Sequence, residues 1–454
     1  MAPTHRRTKS SGPPPPSKTL VLDNGAFTIK AGFSSPSIEV NQDSCHIIPN
    51  CMARDRERKV YIGSELEKCK DFGDIAFRRP VEKGYIVNWE AQKEIWDHEF
   101  FDKKAKLHCD PSETGLILTE APNSLPVLQT NCDQVVFEEF GFASYYRALG
   151  PTLNAYNDIQ AIFKAPPRDP TAPVAPAEVL LLIDSGYSHT TVTPLLQGRP
   201  LQSAIRRLDV GGKLMTNYLT RLLSLRQFDM RNETYLMNEI KEAACYVTKD
   251  FNTDLELSWK GTTGEKRESY LTGGGIAKDY VLPDYHNITK GYLRDHDPKL
   301  AGNLKKIAAG KAVENPEDVL TLRNERFTVP ELLFNPMDIG LRQPGLAQVV
   351  MQSLSVLPIG LWPGLLANVV VVGGNANIDG FIHRLQAEIM ALAPSECMVR
   401  LARPTDPSPI VSTWQGGANL ARDEALLSKL SVTKQEYEEH GGAWVARKFA
   451  NTGV

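Results

Sequence analysis

Two turns in distant parts of the chain combine the residue types that bind phosphate and a hydrated cation. The apolar run 19–22 ends in the turn 23–25, which reads Asp-Asn-Gly, and the apolar run 180–183 ends in the turn 184–186, which reads Asp-Ser-Gly. A second β-like run follows each turn, so each predicts a β-hairpin. Turn amides face an anion, and the carboxylate beside them suits a hydrated cation. One such turn is common in β-rich proteins, whereas two predict facing halves that clamp a phosphorylated ligand.

A third turn has a different but related geometry. The apolar run 369–372 breaks at Gly373-Gly374-Asn375, and a helical pattern of apolar residues begins at Phe381. Strand, glycines and helix start form an arrangement that brings backbone close to a nucleotide. A single Gly-Gly pair is equally typical of an ordinary tight turn, but three turns in one chain favour a nucleotide site.

Several stretches between these turns resemble the actin branch of the actin, Hsp70 and sugar-kinase fold. They are LTEAPN at 118–123, GYIVNW at 84–89 with IW at 95–96, IKE at 240–242 with CYV at 245–247, WQGG at 414–417 and KQEYEE at 434–439. The resemblance covers roughly residues 18–454. It implies an α/β, actin-like fold of two lobes, with a nucleotide cleft between duplicated ribonuclease-H-like halves.

This resemblance implies a cofactor and a set of binding residues. The cofactor is ATP or ADP, together with Mg²⁺ held through water by Asp23 and Asp184. The predicted nucleotide-binding residues come from the three turns, from the run after the first turn and from the IKE helix. They are Asp23, Asn24, Gly25, Lys30, Asp184, Ser185, Gly186, Lys241, Glu242, Gly373, Gly374 and Asn375.

Both phosphate turns depart from the actin pattern where actin contacts the terminal phosphate. Ala26 stands in place of a serine, and it lacks a hydroxyl contact to a charged group worth ~1.5–3 kcal/mol. Phe27 stands in place of a glycine and blocks the close backbone approach that glycine allows. In the second turn, Tyr187 and Ser188 replace an acidic residue and another glycine.

The catalytic positions of the family are also changed. Its histidine aligns with Thr191, and its water-positioning glutamine aligns without gaps with Gly150; Gln160 is a rival only after a ten-residue shift. Losing such a group typically costs ~10²–10⁴-fold in rate. We therefore predict no catalytic residue and poor hydrolysis, although the same changes equally allow an empty cleft. An active ATPase or sugar-type kinase on this fold is an alternative hypothesis.

The segment 49–63 matches a loop that docks the next subunit in actin filaments. It is shorter here and carries Arg and Lys at 54–59 in place of an apolar tip. A charged loop has no apolar anchor to bury, and like charges on neighbouring copies oppose a self-contact. An ordinary solvated loop is the plainer interpretation, and both interpretations disfavour a homopolymer.

An insertion at about 281–326 is the most individual part of the chain. We predict that Tyr285, Tyr292 and Arg294 dock a partner, because aromatic residues beside cations are common interface anchors. A tolerated surface insertion is the alternative. The insertion also contains a basic stretch with Lys299, Lys305, Lys306 and Lys311.

Composition and local patterns predict the organisation of the chain. Its 454 residues, of which 42% are hydrophobic, are enough for two lobes with a core each. Its net charge of −3 gives no reason to expect strong direct DNA binding. The seven scattered cysteines favour a reducing compartment.

We predict a disordered basic and Pro-rich tail at 1–17, whose basic cluster is a weak import signal. The first lobe is predicted at 18–165 with 411–454, a Pro-rich connector at 166–177 and a second lobe at 178–410. Thr433 and Glu436 form a predicted capping box.

The insertion and the shortened loop are similar to a nuclear branch of actin-related proteins. These are structural subunits of SWR1-type chromatin-remodelling complexes, which exchange histone H2A for the variant H2A.Z. The resemblance implies a nuclear, non-catalytic scaffold subunit, with a cytoplasmic pool not excluded. Its partners would be a motor ATPase chain and a small zinc-finger subunit, with indirect nucleosome contact and no membrane contact. A cytoplasmic actin-related subunit that caps filaments is an alternative, which predicts an apolar loop near residues 50–60.

Overall fold

A computed structural model describes residues 16–37, 42–164, 175–259, 276–285, 289–296, 318–406 and 408–452. Most of the predicted tail, residues 166–174 of the predicted connector and the four lysines of the insertion lie outside these ranges. The strands are β1 (Lys18–Asn24), β2 (Thr28–Ser34), β3 (His46–Pro49), β4 (Met52–Arg54), β5 (Val60–Ile62), β6 (Ala76–Arg78), β7 (Val81–Glu82), β8 (Tyr85–Ile86), β9 (Thr114–Glu120), β10 (Ser144–Leu149), β11 (Val179–Ser185), β12 (Thr190–Leu196), β13 (Arg199–Pro200), β14 (Arg206–Leu208), β15 (Lys278–Val281), β16 (Tyr292–Asp295), β17 (Val319–Leu322), β18 (Val369–Val372), β19 (Leu401–Ala402) and β20 (Val432–Thr433).

Helices connect and cover these strands. They are α1 (Trp89–Trp96), α2 (Pro126–Gln134), α3 (Gly150–Asn154), α4 (Ile159–Ile162), α5 (Gly212–Arg226), α6 (Thr234–Ala244), α7 (Phe251–Trp259), α8 (Glu325–Thr328), α9 (Leu346–Leu354), α10 (Trp362–Leu366), α11 (Phe381–Leu392), α12 (Ser412–Ala421), α13 (Glu424–Leu430), α14 (Lys434–His440) and α15 (Gly442–Thr452). The predicted capping box is present at the start of α14, where Thr433 and Glu436 bond each other's backbone N–H groups.

Two large sheets repeat one arrangement. The first has the order β20-β10-β9-β1-β2-β3, and the second has the order β13-β12-β11-β18-β19, with β14 also paired to β12. In each sheet an antiparallel hairpin, β1–β2 or β11–β12, lies beside a parallel strand, β9 or β18. The predicted α/β fold of two similar halves is thereby confirmed.

The central strands are continuous apolar runs because both of their faces are covered. Residues 20–22 and 180–183 are all buried, as is the whole of β18. Each sheet has its own core: one contains residues from 20–153 and from 411–449, and the other contains residues from 181–401. The chain therefore returns to the first lobe at its C-terminal end.

Two glycines allow α12 to lie directly against helix α3 and the first sheet. A Cβ on Gly416 would lie 2.0 Å from the Leu153 carbonyl oxygen, and one on Gly417 would lie 2.8 Å from a Val21 methyl. The fully buried Trp414 lies on the same helix. The WQGG motif thus places α12 beside β1, the strand that carries the first phosphate turn.

A smaller core accompanies the first lobe. It belongs to a three-stranded sheet in the order β5-β4-β6, and it includes Tyr61, Leu66 and Ile75. The charged segment between β4 and β5 is a tight turn closed by Asp55, which bonds the Lys59 N–H. We call residues 51–78 the small subdomain.

Two strands of the insertion, β16 and β17, pair with β15, which ends where the insertion begins, and form another three-stranded sheet on the second lobe in the order β16-β15-β17. His296 and Asp279 are buried in it with 2.8 Å between Nδ1 and Oδ1, and the Thr321 hydroxyl donates to the same carboxylate oxygen. This sheet holds Tyr292 at an edge, where its side chain is 45% exposed. None of the helices within the described residues combines the length and apolar character that crossing a membrane requires.

Candidate functional site

A cavity of about 500 Å³ lies between the two large sheets. Its size falls in the range of ~300–1,000 Å³ that is typical of small-molecule sites. Residues of both lobes line it, and the predicted binding residues are brought together there, with the exception of Ser185. Those that line the cavity are Asp23, Asn24, Gly25, Lys30, Asp184, Gly186, Lys241, Glu242, Gly373, Gly374 and Asn375.

The first phosphate turn joins β1 to β2 and is held rigidly on the Asp23 side. Lys30 lies opposite Asp23 in the hairpin, with 3.6 Å between Nζ and Oδ2. The Thr119 hydroxyl, at the end of β9, donates to the other Asp23 oxygen at 2.9 Å. It also accepts the Asn24 backbone N–H at 3.0 Å. Both carboxylate oxygens of Asp23 are therefore oriented before any ligand binds.

The Asn24 side chain positions the turn from inside the first lobe. Its Nδ2 donates to Gln92 at 2.9 Å, and its Oδ1 accepts from the Trp96 indole at 3.3 Å. The backbone N–H groups of Ala26 and Phe27 donate to no described residue. These two amides, and not the Asn24 amide, are the donors that the turn offers to a phosphate.

The second phosphate turn is tied to two other elements. The Ser185 hydroxyl is fully buried between Thr190 and Asn375. Ser185 therefore positions the turn and does not line the cavity, although it was predicted to bind the nucleotide. The first N–H groups of α5, from Gly212 and Lys213, donate to the carbonyl oxygens of the turn. The second turn, the third turn and the start of α5 therefore form one unit.

Glycine is required in the third turn for a steric reason. Gly373 has a φ of +89°, and a Cβ there would lie 2.4 Å from the Ser185 carbonyl oxygen. Gly374 has no atom within 4 Å of its Cβ position and faces open space. Gly373 thus joins two turns, while Gly374 leaves room for a ligand.

Helix α6 contributes polar groups to the same cavity. The buried Lys241 ammonium donates to Asn238 at 2.7 Å and to Thr216 at 3.0 Å, and burial lowers its pKa. Glu242 accepts from Asn238 at 2.8 Å. An ammonium and a carboxylate fixed by neutral partners can hydrogen-bond a sugar or a base.

The two aspartates carry the electrostatics of the site. Burial, together with the charge of Asp23, raises the pKa of Asp184 to about 6, while Lys30 opposes this rise. Two carboxylates that destabilise each other's charge in a cleft fit a hydrated Mg²⁺, which prefers oxygen ligands and keeps its water. Asp23 and Asp184 are the residues that would hold it. Within the described ranges, no group of three His, Cys, Asp or Glu residues stands ready to bind a metal.

This pKa shift predicts a pH-dependent stability difference. An Asp184 whose pKa is higher in the folded than in the unfolded state stabilises the fold below about pH 4, and this contribution is lost as pH rises through 6. Without nucleotide or Mg²⁺, Asp184→Asn should therefore gain stability relative to the native chain between pH 4 and 7, by on the order of 1–3 kcal/mol. Thermal unfolding at several pH values measures this. Added Mg²⁺ should reduce the gain, and a difference that does not vary with pH would contradict the assignment.

Neither position that aligns with the family's glutamine offers a side-chain amide to a water molecule in the cavity. Gly150 lines the cavity, and a Cβ there would meet only a Thr413 methyl, at 3.7 Å. The rival Gln160 is exposed on α4 and does not line the cavity. No glutamine is found among the described residues of the cavity wall. The absence of catalysis itself stays a prediction.

His189 is a cavity residue that sequence reasoning missed. Its ring lies against Gly84, and its Nδ1 has no hydrogen-bond partner in the described part of the chain. Burial and the charge of Arg207 lower the pKa of His189 to about 4, so the ring is neutral at pH 7. Nothing in the sequence around His189 distinguished it from the other histidines of the chain as a cavity residue. Gly212 was also missed, although Gly-Gly before an amphipathic helix was a usable signal.

The small subdomain also contacts the second lobe, through aromatic residues that are not among those lining the cavity. The rings of Phe72 and Tyr235 stack with centroids 4.0 Å apart, and Phe77 lies 6.2 Å from Tyr235. Tyr285 is half-buried, with its ring centroid 6.4 Å from that of Phe72 and its hydroxyl buried, so this predicted docking residue also packs within the chain. Arg294 is half-buried, and of the three predicted docking residues Tyr292 is the exposed one.

Comparison with known proteins agrees with this geometry. A family model described as Actin matches residues 15–450. The chain is 67% identical to actin-related protein 6 of Neurospora crassa, over 98% of this chain and 97% of that protein. It is 50% identical to actin-like protein arp6 of Aspergillus fumigatus, over 99% of both. It is 35% identical to actin-related protein 6 of Arabidopsis thaliana, over 95% of this chain and 99% of that protein.

Proposed function

Because this chain belongs to the actin family, we propose that it is a non-catalytic structural subunit of a SWR1-type chromatin-remodelling complex. In this proposal it acts in the nucleus and takes part in the exchange of H2A for H2A.Z, without supplying the motor activity. Its partners are a motor ATPase chain and a small zinc-finger subunit. The similarity to proteins named actin-related protein 6, over nearly the whole chain, supports this assignment.

One observation carries the non-catalytic part of the proposal. The residues proposed to bind a nucleotide include Asp23, Lys30 and Asp184, which all line the cavity. The groups that would act on its terminal phosphate are replaced by Ala26, Phe27 and Gly150. Such a site holds ATP or ADP, with Mg²⁺ adding charge neutralisation, and uses it to brace two lobes. A ligand at 100 times its Kd stabilises a fold by ~2.7 kcal/mol without turnover.

The short turn between β4 and β5 supports a subunit that does not polymerise. It exposes Arg54, Glu57 and Arg58 and provides no apolar tip for a neighbouring copy. Phe72 and Phe77 of the small subdomain lie against Tyr235 of the second lobe of the same chain. A surface already occupied within the chain is not free for a filament contact.

Purification of a tagged chain from nuclear extract tests the assignment. The expected result is co-purification of a remodelling motor ATPase, and H2A.Z exchange by the purified complex that falls when this subunit is depleted and returns when it is added back. Co-sedimentation with the ends of actin filaments is the matched test of the capping alternative. Filament-end binding without any motor chain would overturn the proposal.

The contact between the small subdomain and the second lobe predicts slow ligand exchange. Replacing Tyr235 with alanine removes an aromatic stack worth ~0.5–1.5 kcal/mol. If release requires this contact to open, a fluorescent nucleotide should leave the Tyr235→Ala variant ~2–10-fold faster than the native chain. Phe228→Ala removes a 41% exposed ring elsewhere on the same lobe and serves as the control. Equal release from all three proteins would show that the contact does not limit exchange.

A further inference from the structure

Aromatic rings from the two phosphate turns meet across the cleft. Phe27 belongs to the first turn and Tyr187 to the second, and both line the cavity. Their ring centroids are 4.7 Å apart with an interplanar angle of 35°. This distance is van der Waals contact for two rings. Because the turns belong to opposite lobes, the pair bridges the cleft at its phosphate end.

Arg79 holds this aromatic bridge in place. Its guanidinium carbon lies 4.7 Å from the centroid of Phe27 and 5.5 Å from that of Tyr187. Its Nη1 also donates to the Phe27 carbonyl oxygen at 3.2 Å. In both contacts the ring face attracts the guanidinium charge. Moving either ring aside would therefore break contacts with Arg79 as well as the ring pair.

The bridge limits the length of a phosphate chain that the turns can hold. The free amides of Ala26 and Phe27 and the cation site at Asp23 and Asp184 provide for phosphate groups beside the first turn. A further phosphoryl group must extend between the two turns, and two rings in contact leave no gap for it. Ala26 also has no hydroxyl to donate to that group. Added charge would thus meet aromatic surface instead of hydrogen-bond donors.

We propose that the cleft selects a nucleoside diphosphate over the corresponding triphosphate, with Phe27 and Tyr187 as the residues that set this specificity. The inference rests on the nucleotide site of the proposed function and gives that site a preferred ligand. It also gives a physical reason for a non-catalytic subunit: a bound diphosphate has no γ-phosphate to hydrolyse. The subunit would then remain in one ligand state while the motor chain cycles.

Affinities of the full-length chain for ADP and ATP test the inference. Bound nucleotide is first removed with EDTA, and each nucleotide is then titrated with Mg²⁺ in a calorimeter. We expect ADP to bind at least ~10-fold more tightly than ATP, a difference of 1.4 kcal/mol. In Phe27→Gly and in Tyr187→Ala, the ratio of the two affinities should fall towards one. Tyr292→Ala, at the exposed edge of the insertion, should keep the native ratio.

Each outcome separates this inference from the proposal beneath it. If the native chain binds ATP as tightly as ADP, the diphosphate preference is wrong and the nucleotide site stands. If folded variants keep the native ratio, the two rings are not its cause. If neither nucleotide binds, the nucleotide site itself is overturned. Thermal unfolding of each variant verifies that it is folded. Because the two variants lie in different turns, one of them can still test the inference if the other does not fold.

Discussion

We expect the Gly373→Ala variant to be roughly 2–6 kcal/mol less stable than the native chain. Alanine at a φ of +89° is strained, and its Cβ would lie 2.4 Å from the Ser185 carbonyl oxygen and 2.9 Å from an Asp184 oxygen. The strain must be relieved by moving the third turn away from the second. Because that movement displaces Asp184, nucleotide affinity should fall together with stability.

Chemical denaturation of Gly373→Ala and of Gly374→Ala measures this effect with a matched control. The two glycines are adjacent, but Gly374 has open space around its Cβ position and no positive φ. Alanine at an unstrained glycine position is neutral or stabilises by ~0.4–1 kcal/mol. Equal stability of the two variants would show that the second and third turns do not depend on their close contact.

We expect the Arg147→Ala variant to lose about 3–5 kcal/mol of stability, because it leaves buried carboxylates without their cation. Arg147 is 5% exposed at its side chain and lies 2.6 Å from Asp133 and 3.3 Å from Glu120. Its guanidinium also lies over the Phe449 ring at 5.0 Å. Glu120 and Arg147 both line the cavity, so the loss should also disturb the wall beside Asp23.

An exposed ion pair provides the control for Arg147. Arg231 bonds Asp229 at 2.7 Å, but the two side chains are 77% and 58% exposed. Water and salt screen such a pair, so Arg231→Ala should change stability little. In the double variant Arg147→Met with Asp133→Leu, apolar packing should recover part of the loss. If Arg147→Ala costs no more than Arg231→Ala, the buried network is not what holds this wall.

The sequence alone predicted the parts of the site that depend on local pattern. Apolar runs that end in Asp and Gly predicted both hairpins, because a central strand is buried on both faces and its turn is not. Asp23 and Asp184 meet because equivalent strands carry them to the same end of two similar sheets. The capping box at Thr433 needed only residues within one helical turn.

Side-chain direction could not be predicted in the same way. The Asn24 side chain is held by hydrogen bonds to Gln92 and Trp96, which are far along the chain, although Asn24 lines the cavity. Ser185 is withdrawn by Asn375, which the fold brings to it from another turn. Tyr285 was predicted to dock a partner, yet Phe72 of the small subdomain lies beside it. Each of these outcomes depends on a contact between residues distant in sequence.

The nucleotide content and turnover of the purified chain test the central claim most directly. The chain is denatured, the released nucleotide is identified and counted, and a single-turnover hydrolysis assay with radiolabelled ATP is run beside it. A braced, non-catalytic scaffold predicts close to one nucleotide per chain and no phosphate release above that of a buffer control. Phosphate release in proportion to the bound ATP would contradict the claim and show that the chain is an ATPase. An empty cleft would show that the scaffold does not depend on a bound nucleotide.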